Sequence, residues 1–133
     1  MYTINEVAKI CDISAHTLRF YDKEGLLPFI SRNKTGNREF SEQSLDLIKL
    51  ICCLKNTGMQ IKEIKQYIDL CMQGNETSSV RKSMMVDHRK EVARQIDDLK
   101  KNLNIIDLKV AFYDSYDANI NINHDLHETS IAK

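Results

Sequence analysis

The chain has 133 residues, about one domain's worth, with 19 Lys and Arg against 19 Asp and Glu. At 42% hydrophobic and 29% charged it is too apolar for a disordered polyampholyte and too polar for a membrane protein. Four glycines and one proline are too few to build the tight turns of a sandwich or barrel, so the composition favours helices. No apolar stretch reaches the ~18 residues of a transmembrane helix. The start, Met1-Tyr2-Thr3-Ile4-Asn5-Glu6, has neither the basic nor the apolar region of a signal peptide. A cytoplasmic protein with no membrane partner is expected. In that reducing setting Cys11, Cys52, Cys53 and Cys71 read first as small buried hydrophobes, not as a disulfide framework.

In chain order, Asn5 is a suitable N-cap for a short helix through Val7, Ala8, Ile10 and Cys11, ending near Asp12-Ile13. Ser14 caps a second helix from Ala15 to about Glu24, and Gly25 supplies the left-handed stop. Helix, short turn, helix is the helix-turn-helix arrangement. Pro28 forbids further helix. Residues 31–40 read as a hairpin with its tip at Lys34-Thr35-Gly36-Asn37. Ser41 caps a helix running to about Asn56, and Gln60 to Met72 forms another through Ile61, Ile64, Ile68 and Cys71.

The last long element begins near Ser78 or Ser79. Val92, Ile96, Leu99, Leu103, Ile106, Val110 and Tyr113 follow one another at alternating gaps of four and three, a heptad seam with every a and d position apolar. A helix from 79 to 113 spans roughly 52 Å at ~1.5 Å per residue. The preceding domain is too small to cover it, and no second heptad run exists in the chain. The seam therefore calls for a second copy, giving a homodimer. The expected organisation is a DNA-binding domain over 1–74, a dimerisation helix over 75–113 and a polar tail over 114–133, disordered or nearly so.

The second helix opens with small and hydrogen-bonding residues, Ala15-His16-Thr17, where a recognition helix meets base edges. Arg19 and Lys23, four apart, share a face. Beside them the hairpin carries Arg32, Lys34 and Arg38, opposed by Glu39. From 14 to 41 five basic residues face three acidic ones, a modest local excess in a neutral chain. A basic hairpin next to a helix-turn-helix reads as a wing gripping phosphates. Sequence-specific binding through few phosphate contacts is expected. Without the hairpin, a solvated charged face on a structural helix pair is the plainer reading.

Four stretches together resemble the MerR family of bacterial transcription regulators: Thr3-Ile4-Asn5-Glu6-Val7-Ala8, Ser14 through Pro28, Gly36-Asn37-Arg38-Glu39-Phe40, and Gly58-Met59-Gln60-Ile61-Lys62-Glu63-Ile64. The resemblance covers about residues 2–72. It implies a mainly α fold, a winged helix-turn-helix DNA-binding domain followed by a long helix in an antiparallel dimerisation coiled coil. It also implies a palindromic operator within a promoter, whose distortion on effector binding lets RNA polymerase engage both promoter elements. By position Thr17, Arg19 and Tyr21 resemble the family's recognition-helix contacts, Arg38 its wing arginine, and His16 a base-facing residue. Phe20 replaces a usual tyrosine and Asn37 a common aromatic, so those two contacts differ.

The effector is less legible. Metal-sensing relatives place cysteines at the end of the dimerisation helix, but residues 112–118 contain none, so no metal and no cofactor are expected. His124 and His127 with Asp125 and Glu128 are the alternative metal-responsive set. The twenty residues after 113 cannot form a drug-binding domain. What the resemblance leaves is a subgroup sensing thiol-reactive electrophiles or nitrosative stress through a cysteine on the helix after the wing. Cys52 fits that position, with Lys49 and Lys55 near in sequence. The opposing reading is inert burial, since Ile48, Ile51 and Cys52 lie on one stripe. An enzyme, such as a thiol peroxidase, lacks a phosphate loop, carboxylate pair or nucleophile set to support it. A coiled-coil adaptor with a degenerate DNA domain is the remaining alternative.

Overall fold

In the computed structural model, which describes residues 1–118, five α-helices and a two-stranded sheet follow in the order α1 (Ile4–Cys11), α2 (Ala15–Lys23), β1 (Ser31–Arg32), β2 (Arg38–Glu39), α3 (Glu42–Asn56), α4 (Ile61–Gln73) and α5 (Ser78–Ala118). The expected mainly α, winged helix-turn-helix architecture with a long C-terminal helix is present. His124, Asp125, His127 and Glu128 lie outside the described residues.

α1 begins two residues earlier than Asn5 suggested. Its N-cap is Thr3, whose Oγ1 accepts from the Glu6 amide while the Glu6 carboxylate accepts from the Thr3 amide. This reciprocal capping box satisfies two donors that a lone Asn cap would not. Ser14 caps α2 by accepting from the Thr17 amide at 3.0 Å. Gly25 then takes φ +81°, the left-handed conformation that ends the helix.

The wing pairs Ser31 with Glu39 and Arg32 with Arg38. Its tip is organised by Asn33, whose Oδ1 accepts from the amides of Thr35 and Asn37, both at 3.0 Å. Such side-chain turns let a five-residue loop close without apolar packing. A third rung was not foreseen: Tyr2 and Phe40 exchange backbone bonds of 2.7 and 2.9 Å, joining the N-terminal segment to the base of the wing. The Tyr2 hydroxyl also donates to the Glu42 carboxylate.

The chain divides into two compact units, Met1–Arg89 and the residues from Lys90 on. The first is built around Val7, Leu18, Leu26, Leu27, Phe40, Ile48, Ile51, Ile64 and Ile68, all fully buried. It extends past the limit of 74 read from the sequence. Residues 78–89, about three turns of α5, belong to it, because Met85 packs on the core and His88 Nε2 lies 2.7 Å from Thr57 Oγ1 at the end of α3. The turn from α4 is pinned by buried Thr77, whose hydroxyl lies 2.7 Å from the Leu70 carbonyl and 2.8 Å from that of Gly74, and accepts from Arg81.

In the second unit α5 continues to Ala118, through residues 114–118 that read as tail. The local reason is aromatic packing on one helix: Phe112 stacks on Tyr116 and meets Tyr113 edge-on. Of the seam residues, Ile96, Leu99, Leu103, Ile106, Val110 and Tyr113 are exposed and Val92 is half-buried. Ile105 and Leu108, off the seam, are exposed as well.

Candidate nucleic-acid interface

α2 is amphipathic in the sense a recognition helix requires. Leu18 and Tyr21 face the core, while His16, Arg19 and Lys23 are exposed at spacings of three and four that place them on one face. Thr17 is half-buried and its hydroxyl lies 2.9 Å from that of Ser14, inside the helix cap. Tyr21 departs from the expected contact set. Its side chain is 5% exposed and belongs to the hydrophobic core, and burial pushes its hydroxyl above the ordinary tyrosine pKa. Its ring packs α2 against the core. Phe20, the position without a hydroxyl, is the exposed aromatic instead.

The wing arginines are already engaged within the protein. Arg38 Nε donates to Asp22 Oδ2 at 2.8 Å, tying β2 to α2 and leaving its two Nη groups for an external acceptor. The pair is half-buried, so it is screened less than an open surface pair. Arg32 Nη1 donates to the Gly36 carbonyl at 2.7 Å, across the wing loop. Lys34 stands exposed at the tip.

Arg19, Arg32 and Arg38 meet in one cleft of about 550 Å³, between the wing, α2 and the first residues of the chain. Thr3, Ile4 and Asn5 line the same cleft, bringing the positive end of α1 to the guanidinium groups. Glu39 is the one carboxylate among its lining residues. The α1 N-terminus was missed in the sequence reading. The Thr3-x-x-Glu6 capping box was the available signal. His16, Lys23 and Lys34 do not line this cleft and present their charge or polarity on the outer faces of α2 and the wing.

Cys52, the thiol the family position suggested as a sensor, is buried rather than open. It is 8% exposed, and burial, with the nearby thiol of Cys11 adding to it, pushes its pKa up to about 11. A reactive thiol needs exposure and the opposite shift. The charge that Lys49 was expected to lend falls on Cys11 instead, where it works against the upward push of burial. Cys53 is exposed on the other side of α3. Among the described residues no three His, Cys, Asp or Glu side chains gather as a metal site, and no helix is long and apolar enough to cross a membrane.

A helix-turn-helix with a wing tied to its second helix and a cleft lined by three arginines defines a DNA-binding module. The chain belongs to the MerR helix-turn-helix family of regulatory proteins, whose model matches residues 2–71, and a second model, MerR DNA binding, matches residues 45–107. An uncharacterised helix-turn-helix transcriptional regulator of Haemophilus influenzae is 45% identical over 112 residues, 84% of this chain and 83% of the relative. The crystal structure of HiNmlR, a MerR family regulator lacking the sensor domain, bound to promoter DNA, is 44% identical with a TM-score of 0.80, covering 88% of this chain and 93% of that one. A MerR family regulator from Bacillus thuringiensis is 45% identical with a TM-score of 0.79, covering 84% and 98%. The relatives are transcription regulators and not enzymes.

Proposed function

We propose that this MerR-type transcription regulator binds a palindromic site in promoter DNA as a homodimer and acts on RNA polymerase indirectly, through the geometry of the promoter. The observation that carries the reading is the cleft where Arg19, Arg32 and Arg38 meet the N-terminus of α1, beside the exposed face of His16, Arg19 and Lys23. Three guanidinium groups and a helix N-terminus attract phosphate, while α2 meets base edges. That HiNmlR was crystallised on promoter DNA supports carrying the activity to this chain. Lys34 reaches a flanking phosphate from the wing tip. The a and d residues from Ile96 to Tyr113, exposed on a single chain, meet the same residues of a second copy, with half-buried Val92 at the start of the seam.

Footprinting on the DNA upstream of the protein's own coding region tests this. A protected segment with two-fold symmetry is expected, with affinity falling steeply as salt rises. Absence of protection at low salt would overturn the reading in favour of a coiled-coil adaptor. A thiol-reactive effector is the finer part of the proposal. Buried Cys52 is poorly placed to meet an electrophile first, so any such response has to enter through a more accessible thiol.

A further inference from the structure

Cys11 is the last residue of α1, and Cys52 lies on the buried face of α3. Forty-one positions apart in sequence, the two thiols come together where α1 packs on α3, close enough for each to act on the other's ionisation. Cys11 packs against the same core cluster that contains Cys52, but it is half-exposed where Cys52 is closed off. Burial pushes the Cys11 thiol above its ordinary pKa, and the Lys49 ammonium and the Cys52 thiol only partly oppose that push. One thiol is therefore partly open to solvent, and the other lies buried behind it on the facing helix.

We propose that Cys11 and Cys52 are a redox pair that closes a reversible disulfide between α1 and α3 when the protein meets a hydroperoxide.

The Cys11 thiolate attacks the outer oxygen of the hydroperoxide. The O–O bond breaks, its electron pair leaves with the alkoxide, and the proton released by Cys11 converts that alkoxide to an alcohol, or to water for hydrogen peroxide. Cys11 is now a sulfenic acid. The Cys52 sulfur attacks the Cys11 sulfur, the S–O bond breaks, and hydroxide leaves with the Cys52 proton as water. Two thiols and one hydroperoxide yield one disulfide, one alcohol and one water. The thiols lose two electrons and the peroxide gains them. Closure requires Cβ atoms roughly 4 Å apart, the separation to which the packing of α1 on α3 has to bring the two residues. Cys53 points about 100° around the helix from Cys52 and is not part of the pair. The small thiolate fraction of Cys11 makes the reaction slow compared with a dedicated peroxidase.

The test treats the full chain with hydrogen peroxide, blocks the remaining thiols by alkylation, and maps tryptic peptides without reduction. The expected product joins Ile10–Arg19 to Leu50–Lys55, weighs two hydrogens less than the separate peptides, and reverts with dithiothreitol. It persists in Cys53→Ser and is lost in Cys52→Ser, where Cys11 instead accumulates as a sulfenic acid trapped by dimedone. The oxidised wild type also unfolds at a higher temperature than the reduced form. A Cys53–Cys53 link between two chains as the sole disulfide, or a Cys11 that overoxidises equally with and without Cys52, would overturn the pairing. The DNA-binding reading stands or falls separately, since wild-type mapping uses no DNA.

Discussion

Ile48 and Leu99 are both branched aliphatic residues on amphipathic helices, yet Ile48 has 0% of its surface exposed and Leu99 has 67%. The residues up to Arg89 bury one continuous core, with Ile10, Phe20, Met72, Val80 and Val86 exposed singly around it. α1, α2, α3, α4 and the start of α5 leave the large core side chains no contact with water. Beyond Lys90 a sustained stripe of Ile, Leu and Val stays open. An exposed apolar stripe of that length on one helix marks an interaction surface. One region is complete as a single chain, and the other needs a second molecule to be complete.

The largest effect is expected where the open stripe is charged. Leu99→Asp would place a carboxylate in an apolar seam, at a cost of several kcal/mol without a partner for the charge. Sedimentation should show monomers, and operator affinity should fall with the lost second half-site, while residues 1–89 unfold as before. An intact dimer would erase the contrast between the two regions. Ile48→Ala should do the reverse. A cavity in a closed core costs about 2–5 kcal/mol, read as a lower denaturant midpoint, with seam self-association unchanged under native conditions.

A third prediction sharpens the comparison within the first region. Arg38→Ala removes both a phosphate donor and the tie to Asp22, and should weaken operator binding by about 1.5–3 kcal/mol. Arg19→Ala removes an exposed charge with no tie and should cost less. Asp22→Asn takes away a negative charge close to the interface, which by itself favours DNA. It should still fail to improve binding in a filter or gel assay, because it loosens the wing that Arg38 anchors. Tighter binding in Asp22→Asn would mean that the ion pair opposes DNA rather than positioning the wing.

The smallest effect concerns pH. Cys52 ionises near 9 in an unfolded chain and at about 11 in the fold, so the folded state holds its proton longer. Its stabilising contribution is fully present below pH 9 and is lost as pH rises through 11. Denaturant midpoints should slope downward across that window, and Cys52→Ser should flatten the slope.

Most of the fold was legible because its signals are local. Ser14, Gly25, Pro28 and Ser41 set element ends by backbone chemistry alone, and the heptad named its seam by spacing. What escaped depends on residues far apart in sequence. The Tyr2–Phe40 rungs, the Arg38–Asp22 tie and the Cys11–Cys52 contact join segments that no periodicity connects. Tyr21 shows the limit of position. Its place in the motif suggested a DNA contact, but a large ring three residues after Leu18 falls on the same inward stripe. The Ala118 end of α5 was hidden because Asp114, Ser115 and Asp117 read as a tail, whereas Phe112 and Tyr116 one turn apart sustain the helix.

The joint between Thr57 and His88 can be followed one proton at a time. The Thr57 hydroxyl has a single hydrogen, and the Cys53 carbonyl 2.7 Å away is an acceptor only, so the hydrogen points there. With that hydrogen turned to the carbonyl, Thr57 accepts from His88 in the tautomer that carries its ring hydrogen on Nε2. The relay therefore has a direction, from ring to hydroxyl to the last turn of α3. The start of α5 is thus fastened to the last turn of α3 through a side-chain bond that joins two elements thirty-one positions apart.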